Sequence, residues 1–154
     1  STGSSLTHLF PSPAALADAD VASIGLPKSR AETIRGFARA VNEGVISFGP
    51  FLDPDEFMSR LRELPGIGDW TAQYIAMRAL GAPDAFPASD LGLLRGAAID
   101  DPRELARRSE AWRPWRAYAA MYLWQGAPEE WTARQTSRMR QDESVAEEYA
   151  AIPG

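Results

Sequence analysis

The chain has no cysteine and one histidine, His8. Without thiols there is no disulfide, no thiolate nucleophile and no cysteine-held iron–sulfur cluster. A histidine-based metal site or a serine–histidine–aspartate triad needs partners that one histidine does not supply. No apolar run approaches the roughly 18–20 residues that span a bilayer. The start, Ser1-Thr2-Gly3-Ser4-Ser5, lacks the basic and apolar regions of a signal peptide. An excess of positive charge is missing too: net charge is −5, of which −3 falls in residues 127–154. Broad electrostatic affinity for nucleic acid is therefore excluded. A nucleic-acid contact here has to be local, built from backbone amides and a few arginines.

Alternating β-branched runs are scarce as well, and nearly every segment reads as helix. Ser12-Pro13 starts a short helix, with serine as cap and proline in the first turn. A second runs from Ser29 to Asn42. Asp53-Pro54 opens a third, with Phe57, Met58, Leu61 and Leu64 on one stripe. Asp69 to Leu80 is a fourth, and Ser89 to Gly96 a short fifth, capped by Ser89. Asp101-Pro102 opens a sixth reaching Ala111, and Pro114 to Gln125 is a seventh. Residues 128–149 are polar and of mixed charge, read as surface helix or tail. Short helices joined by loops predict an all-α, orthogonal multi-helix fold. The reading divides the chain into a domain over 1–126 and an extension over 127–154.

One segment stands out, Leu64-Pro65-Gly66-Ile67-Gly68-Asp69-Trp70-Thr71-Ala72. Two glycines flank an apolar residue between two amphipathic helices. They permit a tight turn and close backbone approach. The turn feeds a helix start whose bare N–H groups suit a phosphate. The amides of Gly66, Ile67 and Gly68 and the hydroxyl of Thr71 are the candidate phosphate ligands. An ordinary helix–helix turn is the structural alternative. Further on, loop 81–89 carries two prolines and delivers Asp90 to a helix start. A carboxylate there is favoured by the helix dipole on structural grounds alone. Placed in a dry site, it also stabilises positive charge developing on a sugar. Trp70 and Tyr74 lie four apart on one helix face. Trp124 shares a face with Ala117, Ala120 and Met121, small enough to leave room over its indole. These aromatics are core residues or a stacking surface. Trp112 and Trp115 read as core or structural, His8 as incidental, and Arg78 and Arg95 as solvated surface or phosphate contacts.

These residues together resemble a known family. Leu64-Pro65-Gly66-Ile67-Gly68 is similar to the helix–hairpin–helix motif of the DNA glycosylase superfamily. With Trp70-Thr71-Ala72, Tyr74, Asp84-Ala85-Phe86-Pro87, Asp90, Trp112-Arg113-Pro114-Trp115-Arg116-Ala117-Tyr118 and Trp124, the string resembles the alkylation-repair 3-methyladenine DNA glycosylase II family over residues 8 to 126. The resemblance implies the helix–hairpin–helix glycosylase fold and excision of alkylated purines such as 3-methyladenine and 7-methylguanine from double-stranded DNA. It implies Asp90 as catalytic carboxylate and Trp124, Tyr74 and Trp70 as base-binding. No cofactor is required. A monovalent cation held by the main-chain carbonyls of Arg62, Leu64 and Ile67 is implied at the hairpin. Strand-cutting relatives place a lysine where this chain has Trp70, so no lyase activity is expected. Family members carry further helices before the segment matching residue 1, so an N-terminal portion of the same protein is an expected partner. A bacterial cytoplasmic, nucleoid-associated setting without membrane follows. A non-catalytic helix–hairpin–helix DNA-binding domain is the main alternative, and a helical protein-interaction module a third.

Overall fold

A computed structural model describes residues 8–49 and 52–126. The residues read as the C-terminal extension, 127–154, lie outside them. The described residues are helical, and they group into two compact units that meet at Leu80–Gly81, inside the span read from sequence as one domain.

The first unit holds α1 (Pro13–Asp18), a 3₁₀ turn (Val21–Ile24), α2 (Lys28–Asn42), α3 (Pro54–Arg62) and α4 (Asp69–Ala79). Ser12 caps α1 by accepting the Ala15 amide, and Asp53 caps α3 by accepting the Asp55 amide. α1 packs on α2, where Arg35 Nε donates to the Ala17 carbonyl at 3.2 Å. α3 packs on α4 through Phe57, Met58 and Leu61, which are buried as their spacing predicts, against Ala72, Ala76 and Met77. Phe48 meets Phe37 and Phe57 edge to face, a favoured aromatic geometry.

The second unit holds α5 (Leu91–Ala97), α6 (Pro102–Ser109), a 3₁₀ turn (Glu110–Trp112) and α7 (Arg116–Leu123). Leu93 and Leu105 are wholly buried, each worth roughly 1.5–3 kcal/mol of transfer free energy. α7 starts two residues later than its sequence suggests, because the Trp115 amide turns back to the Trp112 carbonyl. Trp112 is half-buried against Phe86, but Trp115 is 59% exposed and is not a core residue. No helix of the described residues is long and apolar enough to cross a membrane.

Candidate active site and nucleic-acid interface

The hairpin lies in the first unit. α3 unwinds through the bonds from the Glu63 amide to the Arg60 carbonyl and from the Leu64 amide to the Leu61 carbonyl. Gly66 then takes φ +84°, in the left-handed region. A Cβ on it would lie 1.9 Å from Thr33 Oγ1 of α2. Conformation and space thus both demand glycine here. Ile67 is buried and anchors the turn. Its amide donates to the Leu64 carbonyl at 3.1 Å. This corrects the phosphate-ligand reading for Ile67: closing the turn consumes its N–H. The same bond occupies one of the two lone pairs of the Leu64 carbonyl, a member of the carbonyl set expected to hold a cation.

Gly68 is the N-cap of α4 and, lacking a side chain, offers no cap bond. The first amides of an eleven-residue helix therefore emerge beside the turn without a side-chain cap. Thr71, in that first turn, is half-buried. Arg62 pairs with Asp69 across the hairpin at 2.8 Å and offsets the acidic residue in the first turn of α4. Beside the turn lies an open groove of about 510 Å³, whose lining includes Ser29, Thr33, Gly36 and Arg39 of α2. Trp70 and Tyr74 stack on each other, centroids 5.3 Å apart and planes 9° from parallel. Both remain more than a third exposed, so they form a surface stack rather than core.

Asp90 and Trp124 lie in the second unit. The loop before Asp90 is fastened at several points. Asp84 is gripped by Arg113 and bidentately by Arg116. The Ala117 amide donates to the Pro83 carbonyl at 2.9 Å, and Phe86 and Pro87 are buried. Burial pushes the Asp84 carboxyl up, but the hydrogen bond from Arg116 and the charges of Arg116 and Arg113 outweigh it, so its pKa lies below the ordinary 3.8. Glu110, exposed beside the same arginines, is lowered mainly by its hydrogen bond from Arg113.

The Asp90 amide closes a turn on the Pro87 carbonyl at 2.8 Å. Its side chain then caps α5: Oδ1 accepts the Leu93 amide at 3.0 Å. Asp90 is therefore the cap itself, not the neighbour of a Ser89 cap, and α5 begins at Leu91. The same Oδ1 accepts the indole N–H of Trp124 at 2.8 Å. Two donors on one oxygen fix the plane and rotamer of the carboxylate. Trp124 ends α7, above buried Ala117 and Ala120, while Met121 of the expected small face is exposed.

Two glycines missed by the sequence reading make this possible. A Cβ on Gly96 would lie 2.0 Å from the Leu123 carbonyl oxygen, and one on Gly92 would lie 2.8 Å from Trp124 Cδ1. The Leu123 backbone approaches α5 because Gly96 lacks a side chain, and the Trp124 indole fits beside Asp90 because Gly92 does. The glycines' spacing of four was a visible signal, but the partner helix lies some thirty residues away in sequence.

A glycine hairpin feeding an uncapped helix, with a carboxylate fixed at a second helix start, defines an all-helical helix–hairpin–helix protein. No protein-family model matches the chain. It is 44% identical over 123 residues to the probable bifunctional transcriptional activator/DNA repair enzyme AlkA of Mycobacterium tuberculosis, covering 77% of this chain and 25% of that protein. It is 36% identical over 118 residues to DNA-3-methyladenine glycosylase 2 of Escherichia coli, covering 75% of this chain and 42% of the relative. A solved structure of the Schizosaccharomyces pombe 3-methyladenine DNA glycosylase, in complex with abasic DNA, matches with a TM-score of 0.70 at 28% identity, covering 75% of this chain and 63% of that one. The chain belongs to the helix–hairpin–helix DNA glycosylase superfamily, in its 3-methyladenine DNA glycosylase II family. It spans between a quarter and about two fifths of these two curated relatives.

Proposed function

We propose that the chain is a monofunctional DNA glycosylase that removes alkylated purines, 3-methyladenine and 7-methylguanine among them, from duplex DNA in base-excision repair. The observation that carries this reading is the immobilised Asp90 carboxylate, with Trp124 bound to its oxygen. The damaged nucleotide leaves the stack at a cost of a few kcal/mol, lower for lesions with weakened pairing. Trp124 offers its face to an electron-poor or cationic base, an attraction of about 0.5–2 kcal/mol. The Trp70–Tyr74 stack is the hairpin unit's own aromatic surface for a base.

As the C1′–N bond breaks, its electron pair leaves with the base and positive charge grows on the sugar. Asp90, already oriented, stabilises that charge without reorganising. A water oxygen then bonds C1′ and releases a proton to solvent, leaving an abasic site. Lesions with weak glycosidic bonds need little further acid catalysis, which suits one carboxylate. A strand-cutting Schiff base needs an amine. Trp70 stands where such an amine would be, and Lys28 at the start of α2 is the only lysine in the chain.

The amides of Gly66, Gly68 and the first turn of α4, with Thr71, hold a DNA phosphate. The carbonyls of Arg62, Leu64 and Ile67 are hard oxygen donors suited to a monovalent cation there; the second lone pair of Leu64 serves that role. Duplex DNA as substrate fits a protein that works on the nucleoid. The hairpin by itself favours a second reading, DNA binding without chemistry, since it needs no Asp90.

Release of free bases from methylated duplex DNA, by the parent chain and by Asp90→Asn, tests the proposal. Asp90→Asn is expected to lose about 10²–10³-fold. Equal release by both removes Asp90 from the chemistry. Release by neither, with duplex binding retained, means either that the expected N-terminal portion is needed for chemistry or that the second reading holds, and the same assay on a longer chain decides between them.

A further inference from the structure

We propose that Gly92 is a positioning residue for Asp90, acting through Trp124. The inference rests on Asp90 as the reacting carboxylate. Gly92 sits in the first turn of α5, two residues after the cap. A Cβ built on it would lie 2.8 Å from Trp124 Cδ1, 3.1 Å from Trp124 Nε1 and 3.0 Å from Asp90 Oδ1. It would press on both ends of the 2.8 Å hydrogen bond between indole and carboxylate. Glycine is a poor helix former and its backbone here is not left-handed. Helix α5 gains nothing from it; the indole does.

The bond has a consequence for the base. The one N–H of the indole is spent on Asp90, so Trp124 meets a flipped base with its ring face and not as a hydrogen-bond donor. A side chain at position 92 frees the indole edge and releases the carboxylate together. Gly96 is different in kind, because its missing Cβ makes room for the Leu123 backbone carbonyl. Gly96 seats the helices; Gly92 seats the site.

The indole N–H resonance of Trp124, assigned by its loss in Trp124→Phe, reads this geometry without any activity. In the parent it is expected at the strongly hydrogen-bonded, downfield position. In Gly92→Ala it is expected to shift upfield. If the resonance is unchanged, the proposal is overturned, whether or not the chain excises bases. In base release, Gly92→Ala is expected to lower kcat by about 10–100-fold, the worth of one hydrogen bond to a charged group. In a Trp124→Ala background the same change is expected to cost less than twofold. An equal cost in both backgrounds means a structural role and overturns the proposal. Should Gly92→Ala fail to fold, Gly92→Ala with Trp124→Ala is expected to regain a cooperative transition; failure of that pair as well shows that the overlap is not with the indole, and overturns it too.

Discussion

Arg116 holds Asp84 by both carboxylate oxygens, Nε to Oδ1 at 2.8 Å and Nη2 to Oδ2 at 2.9 Å. The Arg116 side chain is only 15% exposed, so the pair is screened little by solvent. It ties the loop leading to Asp90 onto the start of α7, the helix that ends in Trp124. The folded pKa of Asp84 lies below its ordinary value of 3.8. A depressed carboxylate adds stability that is fully present above the unfolded pKa and is lost as pH falls through the folded one. Thermal midpoints are therefore expected to hold near neutral pH and to drop below about pH 4. Asp84→Asn is expected to cost about 1–3 kcal/mol at pH 7. Its penalty should shrink toward zero as the parent is titrated into that acid range. A penalty independent of pH would show that the charge on Asp84 contributes nothing.

Gly66→Ala is expected to destabilise the hairpin unit on two counts. A non-glycine residue in the left-handed region costs about 1–2 kcal/mol, and the added methyl overlaps Thr33 Oγ1. Denaturant midpoints separate the two terms. Thr33→Ala in the same chain should recover the steric part and leave the conformational part. No recovery would mean that the turn does not rest on α2 at Thr33.

Much of this was legible in the sequence, for local reasons. The stripe Phe57, Met58, Leu61 is a property of one helix, and the pairs Ser12-Pro13, Asp53-Pro54 and Asp101-Pro102 each mark a helix start locally. Asp90 was visible because its loop ends in Pro87-Ala88-Ser89. The cap was misplaced by one residue because serine and aspartate both cap well. What decides is the Asp90 amide, which turns back to Pro87 and aims the carboxylate at Leu93. The use of the Ile67 amide to close the turn follows from backbone direction, which residue types do not encode. Gly92 and Gly96 read as weak helix positions, because their reason lies on α7. Asp84 and its arginines, 29 and 32 residues apart, were visible as a motif but not as a clamp.

The proposed absence of lyase chemistry has its own readout. An imine between protein and abasic sugar is trapped by borohydride as a covalent complex, and forming it needs an unprotonated amine. With Lys28 as the only lysine, on α2, no trapped complex is expected on abasic duplex DNA. A trapped complex that disappears in Lys28→Ala would overturn the monofunctional assignment and place Lys28 at the sugar.

Trp124 bonds Asp90 through its N–H, and base stacking is the second role proposed for it; substitutions separate the two. Trp124→Phe keeps an aromatic face but loses the N–H that reaches Asp90. Trp124→Leu loses both. If the face holds the base, Trp124→Leu raises KM by the worth of one base–aromatic stack, about 1–3 kcal/mol, while Trp124→Phe leaves KM nearly unchanged. If the N–H orients the carboxylate, both lower kcat, and by a similar factor. The cationic character of 7-methylguanine adds a third comparison. Trp124→Leu should weaken its excision by about 0.5–2 kcal/mol more than that of an uncharged base, because only a cation gains from the ring quadrupole. Steady-state kinetics on single-lesion duplexes carry all three comparisons. A uniform loss across charged and neutral bases would leave Trp124 as a support for Asp90 alone, with no part in choosing the lesion.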